Sequence, residues 1–168
     1  AAESAITALR FEFSRQYAVT ELEKKFQNDI IHNILNGKIH SMGELQKNTS
    51  LLGVDINGSY RVIVFGMTNE SMARGDFKAK VKDIDVLSDL IRSRISKAKI
   101  HNDLDKIVVI QEVEREQTQE EYRKNIKKIA EQVQADVARY NKYLKIKAGA
   151  GRVVDGIINL PESFKEAN

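Results

Sequence analysis

Tyr60-Arg61-Val62-Ile63-Val64-Phe65-Gly66-Met67 is the stretch on which the fold turns. It is β-branched and aromatic, of strand length, and apolar enough to predict a central strand. Asn57-Gly58 just ahead of it marks a turn, and residues 69–75 beyond it are polar, without apolar periodicity, and read as a loop. Phe77, Val81, Ile84, Leu87, Ile91 and Ile95 then recur at helical spacing and predict a helix over 77–97. Residues 98–101 and 105–113 predict two short strands around Asn102-Asp103-Leu104, which is hairpin chemistry, and the second contains Ile107-Val108-Val109-Ile110. Thr118-Gln119-Glu120-Glu121 fits a capping box that opens a helix with Tyr122, Ile126, Ile129, Val133, Val137 and Tyr140 on one face. A strand over 145–149 and a last helix beginning at Pro161 close the chain. The order is strand, helix, strand, strand, helix, strand, helix. That is the split βαβ pattern of a ferredoxin-like α+β domain, an antiparallel sheet with its two main helices on one face.

Working back toward the start, Ser41-Met42-Gly43-Glu44 fits a first capping box and predicts a short helix to about Leu52. Residues 4–36 read as one long helix, ending where Gly37 stands in a usual stop position. Its apolar residues fall at Ile6, Leu9, Phe13 and Tyr17, then, after a phase shift, at Leu22, Phe26, Ile30 and Ile34. Such a helix rises roughly 50 Å, longer than a domain of this size is wide. Part of it therefore lacks cover from its own domain. One reading is a core helix with a frayed start. The other is that Ile6, Leu9, Phe13 and Tyr17 form the interface with a second copy of the chain, because an uncovered apolar stripe is a liability unless a partner buries it.

Composition narrows the function classes. The 168 residues contain no cysteine, which excludes disulfides, thiolate metal sites and a cysteine nucleophile and suits a cytoplasmic location. With 42% hydrophobic and 30% charged residues the chain is neither a disordered tail nor a membrane protein, and no apolar run reaches the roughly 18 residues of a span. The net charge of +3 is not spread evenly. Residues 1–60 carry 6 basic and 7 acidic side chains, 61–100 carry 9 and 5, and 101–168 carry 12 and 12, so only the middle is basic. There the lysines and arginines alternate with Asp83, Asp85 and Asp89 along one helix, without interleaved aromatics. This describes a solvated helix face rather than a nucleic-acid platform.

Residues for chemistry are sparse. His32, His40 and His101 have no second ligand at metal-binding spacing, so no metal site and no cofactor is expected. Asp103 and Asp105 flank the predicted hairpin turn, where two carboxylates could hold magnesium over a nucleotide phosphate; aspartates also favour turns for local reasons. Asp83 and Asp85, two apart on a helix, point in different directions and cannot share an ion. Gly149-Ala150-Gly151 lacks the third glycine of a dinucleotide fingerprint, position 154 being Val154, and its glycines are read as tight turning where strand meets helix. No serine sits in an elbow motif, and no catalytic residue is nominated.

Gly149-Ala150-Gly151-Arg152, followed by Gly156, Leu160, Ser163, Phe164, Glu166 and Ala167, resembles the close of the GGDEF-like domain in the PucR and CdaR family of bacterial transcriptional regulators. Phe26-Gln27-Asn28-Asp29-Ile30-Ile31 with Ile34-Leu35-Asn36-Gly37, and Leu52-Gly53-Val54-Asp55 before the strand at Tyr60, resemble the family's lead-in, in the same order. The resemblance implies a fold similar to diguanylate cyclases, with residues 1–54 as a long helix and helical lead-in and 55–168 as the GGDEF-like α+β domain. It implies a homodimeric regulatory module that meets DNA only through a helix-turn-helix domain outside this chain, with a small-molecule effector of unspecified chemistry for which no residue argues. Where an active cyclase carries Gly-Gly-Asp/Glu-Glu-Phe, this chain has His101-Asn102-Asp103-Leu104-Asp105, so the expectation is a non-enzyme. The alternative is a nucleotide-binding or cyclase-like domain using magnesium and GTP through Asp103 or Asp105. The chain starts at Ala1 without a methionine and stops just after Ala167, where the family pattern ends, which is expected of the middle segment of a longer regulator.

Overall fold

The computed structural model describes residues 2–70, 77–103, 106–114 and 117–168. Two helices come first, α1 (Ala2–Leu35) and α2 (Met42–Leu52). Then follow β1 (Ser59–Asn69), α3 (Phe77–Arg94), β2 (Ala98–Asp103), β3 (Lys106–Glu112), α4 (Gln119–Tyr140), β4 (Leu144–Ala150), a two-residue β5 (Val154–Asp155) and α5 (Leu160–Ala167). The sheet is antiparallel, with strand order β2-β3-β1-β4 and β5 paired to the start of β1. From β1 onward this is the ferredoxin-like order expected from the sequence.

β1 lies centrally, which explains why its sequence is continuously apolar rather than alternating: both of its faces are covered. Tyr60, Val62 and Val64 pack with Val108 and Ile110 of β3 under the C-terminal end of α1, α2 and α5. Ile63 and Phe65 pack with Ile107 and Val109 under Ile84, Leu87 and Ile91 of α3 and Ile129, Val133 and Val137 of α4. The two main helices thus share one face, as expected. The second face, closed by α1, α2 and α5, carried no sequence expectation.

Several boundaries and stripes differ from expectation. α3 stops at Arg94, and Lys97 takes a left-handed conformation (φ 50°) that turns the chain into β2. Phe77 and Val81 are exposed, because burial on α3 begins only at Asp83, where the helix first meets the core. Tyr140 is also exposed, at the last turn of α4. Leu22 and Phe26 are exposed at 68% and 52%; on α1 only Ile30, Ile31, Ile34 and Leu35 are buried. Periodicity tells which side of a helix is apolar but not how far the cover extends.

The caps follow the sequence closely. Gly37 and Gly53 end α1 and α2 with φ of 64° and 66°, a region open to glycine. Thr118 and Glu121 form the full capping box of α4. At α2, Ser41 Oγ accepts the Glu44 amide at 3.1 Å, but the Glu44 carboxylate accepts the amide of His40, one residue earlier than the box would have it.

Candidate functional site

Three places could carry function: the β2–β3 hairpin, the Gly149–Arg152 segment and the uncovered part of α1. At the hairpin, Asp103 pairs in register with Lys106 at the strand ends and is exposed, whereas Asp105 lies outside the described residues. The loop predicted for 69–75 lies mostly outside them too. Nearby, Asp83 is buried and Asp85 exposed, so the two carboxylates do diverge. Asp83 accepts from Asn69 Nδ2 at 3.2 Å, and partial desolvation together with the negative charge of this carboxylate raises the pKa of the Tyr140 hydroxyl. Ser88 donates to the side-chain oxygen of Asn102 at 3.0 Å. No group of three or more His, Asp or Glu side chains able to hold a metal ion occurs among the described residues. The Asn69–Asp83–Tyr140 cluster joins three distant elements, and nothing local in the sequence announces it.

At the second place, the glycines have a different purpose from the one expected. A Cβ on Gly149 would run into the Ala167 carbonyl, and one on Gly151 into the backbone and hydroxyl of Ser163. Neither glycine has positive φ, so both are needed for close approach of α5 rather than for turning. Ser163 Oγ accepts the Val62 amide at 2.9 Å and donates to the Arg152 carbonyl at 2.7 Å. Arg152 forms ion pairs with Glu162 and Glu166, and its amide donates to Glu166 at 2.8 Å. The segment quoted above as glycine, glycine-arginine, serine and glutamate is therefore the clasp that fastens α5 to the sheet. It presents no phosphate loop.

Along α1, every residue from 2 to 27 is exposed. That is about 39 Å of helix without cover. Ile6, Leu9, Phe13 and Tyr17 are 51%, 58%, 67% and 71% exposed, and they lie together on one side by their spacing. Phe11, Val19, Leu22 and Phe26 are exposed as well. Among the described residues the ion pairs within the span are local, Arg15 to Glu12 and Lys24 to Glu21, both at 3.3 Å. Each contributes about 0.2–0.5 kcal/mol, too little to hold so long a helix by itself.

α1 enters the domain over β2. Asn28 Oδ1 lies 3.3 Å from Nδ1 of the buried His101, and the rings of His32 and His101 are 6.1 Å apart. Beside this junction, a groove of about 810 Å³ separates α1 from α3 and β2, with Glu21, Asp85 and Asp89 facing Lys24, Lys25 and Arg92. This is the space between the sheet and the long helix, and its opposite charges offer no single class of ligand a preference.

The strand order and the helices on each face define a ferredoxin-like α+β domain carrying an N-terminal helical extension. Residues 36–168 match the GGDEF-like domain, and the chain belongs to that family. None of the curated proteins compared with it matches the chain. Among the described residues no helix is long and apolar enough to cross a membrane.

Proposed function

We propose that this GGDEF-like domain is a non-enzymatic regulatory module of a PucR/CdaR-type transcriptional regulator. In this reading the free span of α1 pairs with α1 of a second copy and passes a signal to a helix-turn-helix domain beyond these residues. One observation carries it: a helix span of about 39 Å with Ile6, Leu9, Phe13 and Tyr17 open to water. Burying each such side chain contributes about 1.5–3 kcal/mol, and a second copy supplies an equal set. Charge favours the same occupant. The span holds Glu3, Glu12, Glu21 and Glu23 against Arg10, Arg15, Lys24 and Lys25, so two copies meet without net repulsion. Sedimentation velocity tests the pairing: wild type sediments as a dimer at micromolar concentration, and Leu9→Glu with Phe13→Glu sediments as a monomer of unchanged circular dichroism. A wild type that stays monomeric at high micromolar concentration overturns it.

The non-enzymatic part of the reading is supported by the turn sequence, which lacks both glycines and the adjacent acidic pair. A ligand that binds the folded state raises the melting temperature. The expectation is no shift with millimolar GTP and magnesium, in wild type and Asp103→Ala alike. A shift abolished by Asp103→Ala favours the nucleotide-binding alternative.

A further inference from the structure

β4 and β5 lie end to end along the same edge of β1, but their registers differ by one residue: Ile63 faces Ala150, while Tyr60 faces Val154. Residues 151–153 therefore bulge, a feature that re-aims side chains and widens the space beside a strand. On the face covered by α4, the bulge borders a groove of about 530 Å³. Ligand sites occupy roughly 300–1,000 Å³.

Arg61 forms the floor. It is 3% exposed, a cation inside the most apolar strand of the chain. Its Nε donates to Gln111 at 2.8 Å, one Nη donates to the Tyr122 carbonyl at 3.4 Å, and its guanidinium stacks 5.0 Å from the Tyr122 ring centre. Among the described residues no carboxylate lies within ion-pair distance of it. Among the described residues the remaining Nη has no hydrogen-bond partner, and no fully buried side-chain nitrogen or oxygen lacks one, so this nitrogen keeps access to solvent on a residue that lines the groove. A buried charge is costly unless a counter-charge meets it.

The surroundings suit an anion on an apolar body. Arg123 and Lys127 of α4 line the groove outside any ion pair among the described residues, while Arg152 is held by Glu162 and Glu166, leaving Glu131 as the one uncommitted acid among the lining residues. Ile126, Ala130 and Ala148 supply apolar wall. Among the described residues the outer edge of β4 is occupied only at its start, where Gln134 donates to the Leu144 carbonyl at 3.2 Å and accepts the Ile146 amide at 2.8 Å. By strand alternation, the amides of Ala148 and Ala150 point outward on the same edge, at the groove.

We propose that the groove between α4 and the β4–β5 bulge binds a small organic anion, its carboxylate or phosphate meeting Arg61 and the Ala148 and Ala150 amides and its apolar part resting on α4. The inference does not depend on the dimer or regulator reading. The test is amide NMR of the whole chain titrated with benzoate, phenyl phosphate and, as the uncharged control, benzyl alcohol, at ionic strength fixed with chloride. Saturable shifts at Ala148 and Ala150 are expected for benzoate or phenyl phosphate, the stronger of the two identifying the headgroup, and not for benzyl alcohol. Losing a hydrogen bond to a charged group weakens binding about tenfold or more, the loss expected in Arg61→Met. Because Arg61 is buried, a double variant of exposed residues, Arg123→Glu with Lys127→Glu, provides the same comparison without touching the core. Absence of shifts at 20 mM of either anion, equal shifts with chloride or benzyl alcohol, or affinity unchanged in the double variant overturns the proposal.

Discussion

Ser163 on α5 stands in for a missing strand partner of Val62: where β4 ends and the bulge begins, the serine hydroxyl accepts the Val62 amide at 2.9 Å. Both groups are buried, and the hydroxyl's own hydrogen goes to the Arg152 carbonyl. A buried amide left without an acceptor costs about 1–3 kcal/mol. Ser163→Ala is therefore expected to lower unfolding stability by that amount in urea titration with an unchanged denaturant slope. A loss below about 0.5 kcal/mol would mean that water reaches the Val62 amide.

The glycines of the α5 clasp should respond unlike a glycine in open space. Gly151→Ala drives a methyl group into the Ser163 backbone, and overpacking of this kind costs about 1–3 kcal/mol or more. Gly43, inside α2, has nothing within 4 Å of where a Cβ would stand, so Gly43→Ala is expected to stabilise by up to about 1 kcal/mol. Opposite signs for the two substitutions in thermal unfolding are the outcome that the packing requires.

The capping box of α4 gives a prediction in acid. The Thr118 amide, then its hydroxyl, hydrogen-bond the Glu121 carboxylate and hold its pKa below the usual 4.5. A carboxylate with a lowered folded-state pKa contributes stability that is complete above the unfolded value and lost as pH falls through the folded one. The contribution is therefore present at neutral pH and fades below about pH 4.5. Glu121→Gln should destabilise at pH 7 and much less near pH 3, as measured by chemical denaturation at both. An equal effect at both values would show that the charge is irrelevant to the cap.

How much of this was legible before the fold depended on how local the cause was. The central strand, the helix starts and the strand order rest on runs and caps that a few neighbouring residues specify, and they appear where expected. β5 and the bulge were not legible, because two residues carry no period and a one-residue register change exists only relative to β1. Gly149 and Gly151 looked like turn residues because the reason for them, Ala167 and Ser163, lies more than ten positions away. Arg61 did leave a signal, a charge inside an otherwise apolar strand. Its meaning required α4, which brings Tyr122 over it and opens the groove beside it.

The junction of α1 with β2 makes the last prediction. Burial holds the His101 imidazole below the ordinary value of 6.5; Asp103 and Asp29 pull the other way and His32 pushes further down. Asn28 meets the ring from α1, and Val108 is the neighbour across β3. Since the folded form binds the proton less readily than the unfolded chain, the unfolded state holds more protons just below pH 6.5, and stability falls as the solution is acidified through that value. The expected record is a melting temperature lower at about pH 5.5 than at about pH 7.5, with the difference reduced in His101→Asn. In NMR, the His101 ring should titrate below a histidine in a model peptide. The amides of α1 near Asn28 should shift along with it, because protonating His101 loosens the contact where the long helix leaves the domain. A His101 ring that titrates at or above the peptide value would reverse the sign and remove the prediction.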